Sequence, residues 1–135
     1  MSAGYSGTPL VKKLGIKSGF RIFVDNAPDT YQQSLGTLPD DVLFLQELQV
    51  DLDMIHLFSE QAKDLAAKLK RFWKKLKPTG MLWVSWPKKA SKRPTDITED
   101  VVRELALPLG LVDVKVCAVD DVWSALKLVI RREYR

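Results

Sequence analysis

The chain has 135 residues, 46% of them hydrophobic and 28% charged, with a formal net charge of +4. A domain of this length buries roughly 68% of its unfolded surface, so one packed core is expected and disordered or fibrous classes are excluded. No apolar run reaches the ~20 residues of a membrane span. The N-terminus lacks the basic start and apolar centre of a secretory signal, and the single Cys117 rules out an intramolecular disulfide framework. Together these point to a cytoplasmic protein without a membrane partner.

Residues 1–9, rich in Gly and Ser, read as a flexible arm preceding a single α/β domain over residues 10–135. Pro9 starts a short helix, Leu10 to Leu14, that Gly15 stops in the left-handed conformation. Phe20 to Val24, β-branched and aromatic, is the first strand. Pro28 and Asp29 open a brief helix to about Leu35. After the turn Leu38 to Asp41 comes a second strand, Val42 to Gln46. Leu52 to Phe58 is almost continuously apolar, the mark of a strand covered on both faces.

Ser59 is expected to cap a helix from Glu60 to about Leu76. Ala62, Leu65, Ala66, Leu69, Phe72, Trp73 and Leu76 make its inner stripe. Lys63, Lys68, Lys70, Arg71, Lys74 and Lys75 fall on the other side. After the turn Pro78-Thr79-Gly80, Met81 to Trp86 is the fourth strand, and Thr95 or Asp96 starts a helix that Pro108 and Gly110 end. Val112 to Val119 and Leu126 to Arg131 are the last strands, joined through Asp120 to Ser124. Alternating strands and helices predict a three-layer, mostly parallel sheet of six strands in the order 2-1-3-4-6-5, the last strand antiparallel. The direction of strand two is open, because only Glu47 to Asp51 separate it from strand three. An exposed edge at strand two would offer a homodimer contact.

The order of elements from Leu14 onward resembles a shortened class I (Rossmann-like) methyltransferase. Leu14 to Asp25 is similar to the approach to that family's first strand, Asp53 to Phe58 to its fourth, Leu76 to Lys89 to its fifth, and Gly110 to Arg131 to its closing hairpin. Glu47, just past strand two, would correspond to the acid that holds the cofactor ribose. In that family the first strand is followed by D-x-G-x-G-x-G, where missing side chains admit S-adenosylmethionine. Laid on Asp25, the three glycine positions are Ala27, Asp29 and Tyr31. The resemblance therefore implies the fold without the cofactor loop, and no cofactor is expected, S-adenosylmethionine included. Three further strings, Trp86 to Ser91, Thr95 to Glu104 and Lys115 to Ser124, resemble a family of small bacterial proteins known as a domain of unknown function. That likeness implies no activity.

Ligands in open parallel sheets gather outside the carboxyl ends of the strands. Candidate ligand-binding residues at that edge are Asp25, Asn26, Ser59, Trp86, Lys88, Lys89 and Trp123. The basic loop Pro87 to Thr95 joins cations to a helix start, a setting for a small anionic ligand; the alternative is a solvated loop. Asp25 and Asn26 also suit a plain turn, as Asp120 and Asp121 suit a hairpin tip. His56, among Met54, Ile55, Leu57 and Phe58, reads as a hydrogen-bonded core residue, and Cys117 as a small buried hydrophobe. No metal site is expected without a second histidine or a cysteine pair, and no catalytic residue is assigned. Three functions follow. One is a non-catalytic or anion-binding domain, and another is a divergent S-adenosylmethionine-dependent methyltransferase. The third is a nucleic-acid-binding module using Lys70, Lys74 and Lys75.

Overall fold

The structure, a computed structural model, describes residues 8–135, so most of the arm expected over residues 1–9 lies outside the described residues. Ten elements follow in order: α1 (Leu10–Leu14), β1 (Arg21–Asp25), α2 (Tyr31–Leu35), β2 (Leu43–Leu45), β3 (Leu52–Phe58), α3 (Ala62–Phe72), β4 (Leu76–Pro87), α4 (Glu99–Ala106), β5 (Leu111–Ala118) and β6 (Trp123–Ile130). The strands form one sheet in the order β2-β1-β3-β4-β6-β5, as the alternation of elements predicts. β6 runs antiparallel between β4 and β5, and β2 pairs parallel with β1, which settles its direction.

Successive strand residues point to opposite faces, and two cores result. Leu82, Val84 and Trp86 of β4 join Leu65, Leu69 and Phe72 of α3 and Val102 and Ala106 of α4. Trp83 enters the other core with Leu10 and Leu14 of α1, Tyr31 and Leu35 of α2, and Phe58, Trp123 and Ala125. Two thin helices on one face and two longer ones on the other make the three layers.

The link from β2 to β3 passes β1 without a helix. Leu48 packs into the α3/α4 core, and Arg21 holds the rest: its guanidinium donates to the Asp51 carbonyl, Gln49 Oε1 and the Val50 carbonyl, each at 3.3 Å. Arg21 N also donates to Asp53 Oδ2 at 2.8 Å. A cation that collects carbonyls does here what a crossover helix does elsewhere.

Several boundaries differ from expectation. α3 ends at Phe72 and a 3-10 turn, Trp73–Lys75, follows, because the residue before Pro78 disfavours helix. β4 therefore begins at Leu76, paired with Leu52. A Cβ at Gly80 would lie 2.8 Å from the Leu52 carbonyl oxygen, so this close strand approach requires glycine. β6 begins at Trp123 rather than Leu126, because Asp120 Oδ1 accepts from Val122 N and Trp123 N, both at 2.8 Å, and closes the turn early.

Inside the α1/α2 core, His56 is buried as expected. The Tyr31 hydroxyl lies 2.7 Å from His56 Nδ1, and His56 Nε2 lies 2.7 Å from Ser85 Oγ. Either neutral tautomer satisfies the chain: when the phenol donates to Nδ1, Nε2–H donates to the serine. Burial pushes the imidazole from its ordinary 6.5 down to about 3. Burial raises the Tyr31 phenol, with a smaller contribution from Cys117.

A depressed histidine contributes stability that is complete above pH 6.5 and is lost as pH falls toward 3, because only the unfolded chain takes up the proton. His56 is the sole histidine. Urea unfolding between pH 6.5 and 5, above the carboxylate range, is thus expected to lose stability at about 1.4 kcal/mol per pH unit as the lower end is approached. A flat profile there would mean that His56 titrates in the folded protein.

Candidate functional site

The carboxyl edge of the sheet divides into two parts. At the ends of β1 and β3, Asp25, Asn26 and Ser59 do come together, around a residue that sequence reasoning assigned to the solvated face. Lys68 turns back from α3 and puts its ammonium 2.6 Å from Asp25 Oδ2 and 3.1 Å from Asp64 Oδ2, with its side chain 17% exposed. It also donates to the Phe58 carbonyl at 3.2 Å. Burial alone would lower this ammonium, but the hydrogen bonds to Asp25 and Asp64 outweigh it and hold it raised. Burial likewise favours the neutral Asp64 carboxyl, and hydrogen bonds from Ser59 and Lys68 reverse that and lower it.

Ser59 does not cap α3. Its hydroxyl donates to Asp64 Oδ2 at 2.7 Å, with the Gln61 carbonyl at 3.2 Å. Asn26 adopts φ 60°, the left-handed region its side chain tolerates, and its Nδ2 reaches the Phe58 carbonyl at 3.5 Å. A signal that could have singled out Lys68 is its spacing of four from Asp64 on one helix.

At the end of β4 the helix start lies further along the chain than Thr95 or Asp96. α4 begins at Glu99, capped by Thr98 Oγ1, which accepts from Val101 N at 3.2 Å. Thr95 and Asp96 serve α3 instead. Asp96 Oδ1 accepts from Ala62 N at 2.6 Å, and the Thr95 hydroxyl donates to the Glu60 carbonyl at 2.6 Å. These residues are held by the start of α3 before they can begin a helix of their own. The exit of β4 is firm: Lys88 N donates to the Val122 carbonyl at 2.6 Å, and Ser91 Oγ donates to the Lys88 carbonyl at 2.6 Å. Between this loop and α4 lies a cavity of about 380 Å³ lined by Trp86, Pro87, Lys89, Thr95, Ile97, Thr98 and Glu99.

Trp123 is not part of that cavity. It pairs with Pro87 across the sheet, but its ring lies in the α1/α2 core, edge-on to Phe58 at 5.2 Å, while Trp86 faces α4. Arg93 spans the two sides of the edge, its guanidinium 5.2 Å from the Trp123 ring and its Nε 3.2 Å from Glu60 Oε2. Lys70 and Lys74 are exposed and Lys75 half-buried on the outer side of α3 and its 3-10 turn. Among the described residues no three His, Cys, Asp or Glu side chains are grouped to hold a metal ion, and no helix is long and apolar enough to cross a membrane.

Of the three positions that replace glycine after β1, Ala27 and Tyr31 carry packed side chains and Asp29 is exposed. Tyr31 is 3% exposed and its ring meets Phe58 edge-on at 5.6 Å, while Ala27 packs against the same core.

Residues 12–132 match the family described as "Protein of unknown function (DUF3052)". No curated protein matches in sequence. Solved structures with a similar fold include a SAM-dependent methyltransferase from Aquifex aeolicus (TM-score 0.55, 14% identity, covering 90% of this chain and 88% of that one). Another is magnesium protoporphyrin IX methyltransferase from Synechocystis PCC 6803 with bound SAH (TM-score 0.59, 11% identity, 90% and 78%). A third is Aeropyrum pernix fibrillarin with natively bound S-adenosyl-L-methionine (TM-score 0.58, 12% identity, 93% and 70%). At such identities the likeness is one of fold.

Replacing Lys68 with Met leaves the buried Asp25 Oδ2 without its cation. A loss of about 1–3 kcal/mol in urea unfolding is expected, with Asp25→Asn in the same chain recovering part of it. Additive losses from the two substitutions would show that this pair is not coupled.

Proposed function

The chain belongs to that family of proteins of unknown function, and on this premise we propose that it is a small domain that binds an anionic ligand at the carboxyl end of β4, on a methyltransferase-type fold without methyl transfer. The observation that carries this reading is the state of the cations. Lys68 and Arg93 are paired to acids at the same edge, and Arg103 of α4 pairs with Glu99, Asp100 and Asp113. The side chains of Lys88 and Lys89 have no hydrogen-bond or ion-pair partner among the described residues, beside a cavity that Lys89 lines. Cations held at the mouth of a cavity by a firm backbone suit an anion from solution.

A divergent S-adenosylmethionine-dependent methyltransferase is the second reading, supported by relatives of the same fold whose structures hold that cofactor or its product. The buried Tyr31 ring weighs against it, since backbone near a bound nucleotide needs room that this side chain takes.

The test is equilibrium dialysis of the parent and of the variant with both Lys88→Ala and Lys89→Ala, using benzoate and AMP as probes. Bonds to charged groups are worth about 1.5–3 kcal/mol each, so the variant is expected to lose a few kcal/mol of binding. Its unfolding free energy should stay within about 0.5 kcal/mol of the parent. A variant that unfolds, or that binds both probes as the parent does, would make the loop structural.

A further inference from the structure

Resting on that reading, we infer that the cavity between β4 and α4 takes a flat apolar monocarboxylate, an aromatic acid, rather than a phosphate. Its floor and wall are apolar: Trp86 is 8% and Ile97 2% exposed, and Pro87 closes the strand end. The threonines add only one free donor, because Thr95 Oγ1 donates to the Glu60 carbonyl and accepts from Ile97 N, while Thr98 Oγ1 accepts from Val101 N and keeps its O–H. A volume of about 380 Å³ lies toward the small end of ligand sites and suits one or two rings.

Charge sets the other half of the identity. Lys89 is the one cation among the lining residues, and Glu99 lies in the same lining. The guanidinium of Arg103 bonds Glu99 but is shared with Asp100 and Asp113, so Glu99 keeps much of its charge, and one lysine beside it suits a single negative charge better than two. A phosphate is commonly met by several backbone N–H groups at a helix start. Here Ala62 N at the start of α3 is bonded to Asp96 and Val101 N in the first turn of α4 to Thr98, and the N–H groups left at the start of α4 belong to the acids Glu99 and Asp100. One lysine and an apolar slot match a carboxylate on a ring, the ring against Trp86 and the carboxylate at the mouth.

The experiment is calorimetry paired with amide and indole NMR shifts of the full chain. The probes are indole-3-carboxylate, benzamide as a neutral ring, and inorganic phosphate. Indole-3-carboxylate is expected to saturate, shifting Trp86, Ile97 and Thr98, and Lys89→Ala is expected to weaken it about 10- to 100-fold. Benzamide should bind more weakly than the acid by a similar factor, and phosphate should not saturate. Phosphate that binds more tightly than indole-3-carboxylate and depends on Lys89 would overturn the aromatic acid while keeping the anion site. If neither anion binds, both readings fail. Binding of the acid that ignores Lys89→Ala, or shifts away from Trp86 and Ile97, would overturn the placement.

Discussion

An imidazole with no solvent exposure must have both ring nitrogens satisfied from within the protein, because an unpaired buried polar group costs about 1–3 kcal/mol. His56 meets this demand with Tyr31 on α2 and Ser85 on β4, and the solution fixes more than the histidine. It ties α2 to the two central strands, so the segment after β1 cannot swing away from the sheet without breaking the chain. The ring that answers His56 is also the ring that packs on Phe58, whose other edge contact is Trp123. One polar requirement in the core thus orders an aromatic cluster that closes the β1 end of the carboxyl edge.

The consequences differ between the two parts of that edge. Beside β1 and β3, the inward charges answer one another: Lys68 pairs with Asp25 and Asp64, and Ser59 bonds Asp64. Such a cluster is held together by its own members and offers little to a ligand. Beside β4, the loop backbone is pinned to Val122 while the side chains of Lys88 and Lys89 remain unpaired, next to a slot with Trp86 and Ile97 inside. The shared fold places both regions at the edge where ligands gather; side-chain pairing decides which of them stays open.

The strand order was legible because β3 and β4 read as apolar runs and the last two strands were close enough in sequence to form a hairpin. The role of His56 was legible for the same reason, since a polar ring among Met54, Ile55, Leu57 and Phe58 must be satisfied inside. The site was less so. Thr95 and Asp96 looked like a helix start, which their residue types favour, yet they are used across space by Glu60 and Ala62. Lys68 fell on the polar side of the α3 pattern, but a long side chain reaches around a helix end in a way that periodicity does not record. Trp86 and Trp123 were grouped because a strand end and a hairpin tip were expected to share one edge. Their opposite faces follow from where β6 begins, and that depends on Asp120 closing its turn three residues early.

The β1 end is closed by the protein's own side chains and the β4 end is not. Adding S-adenosylmethionine to isotope-labelled protein and following the backbone amides from Asp25 to Tyr31 tests that closure. These signals are expected to stay fixed at millimolar cofactor. Saturable shifts centred on Asn26, Ala27 and Tyr31 would contradict it, since they would mean that Tyr31 leaves His56 to admit the cofactor.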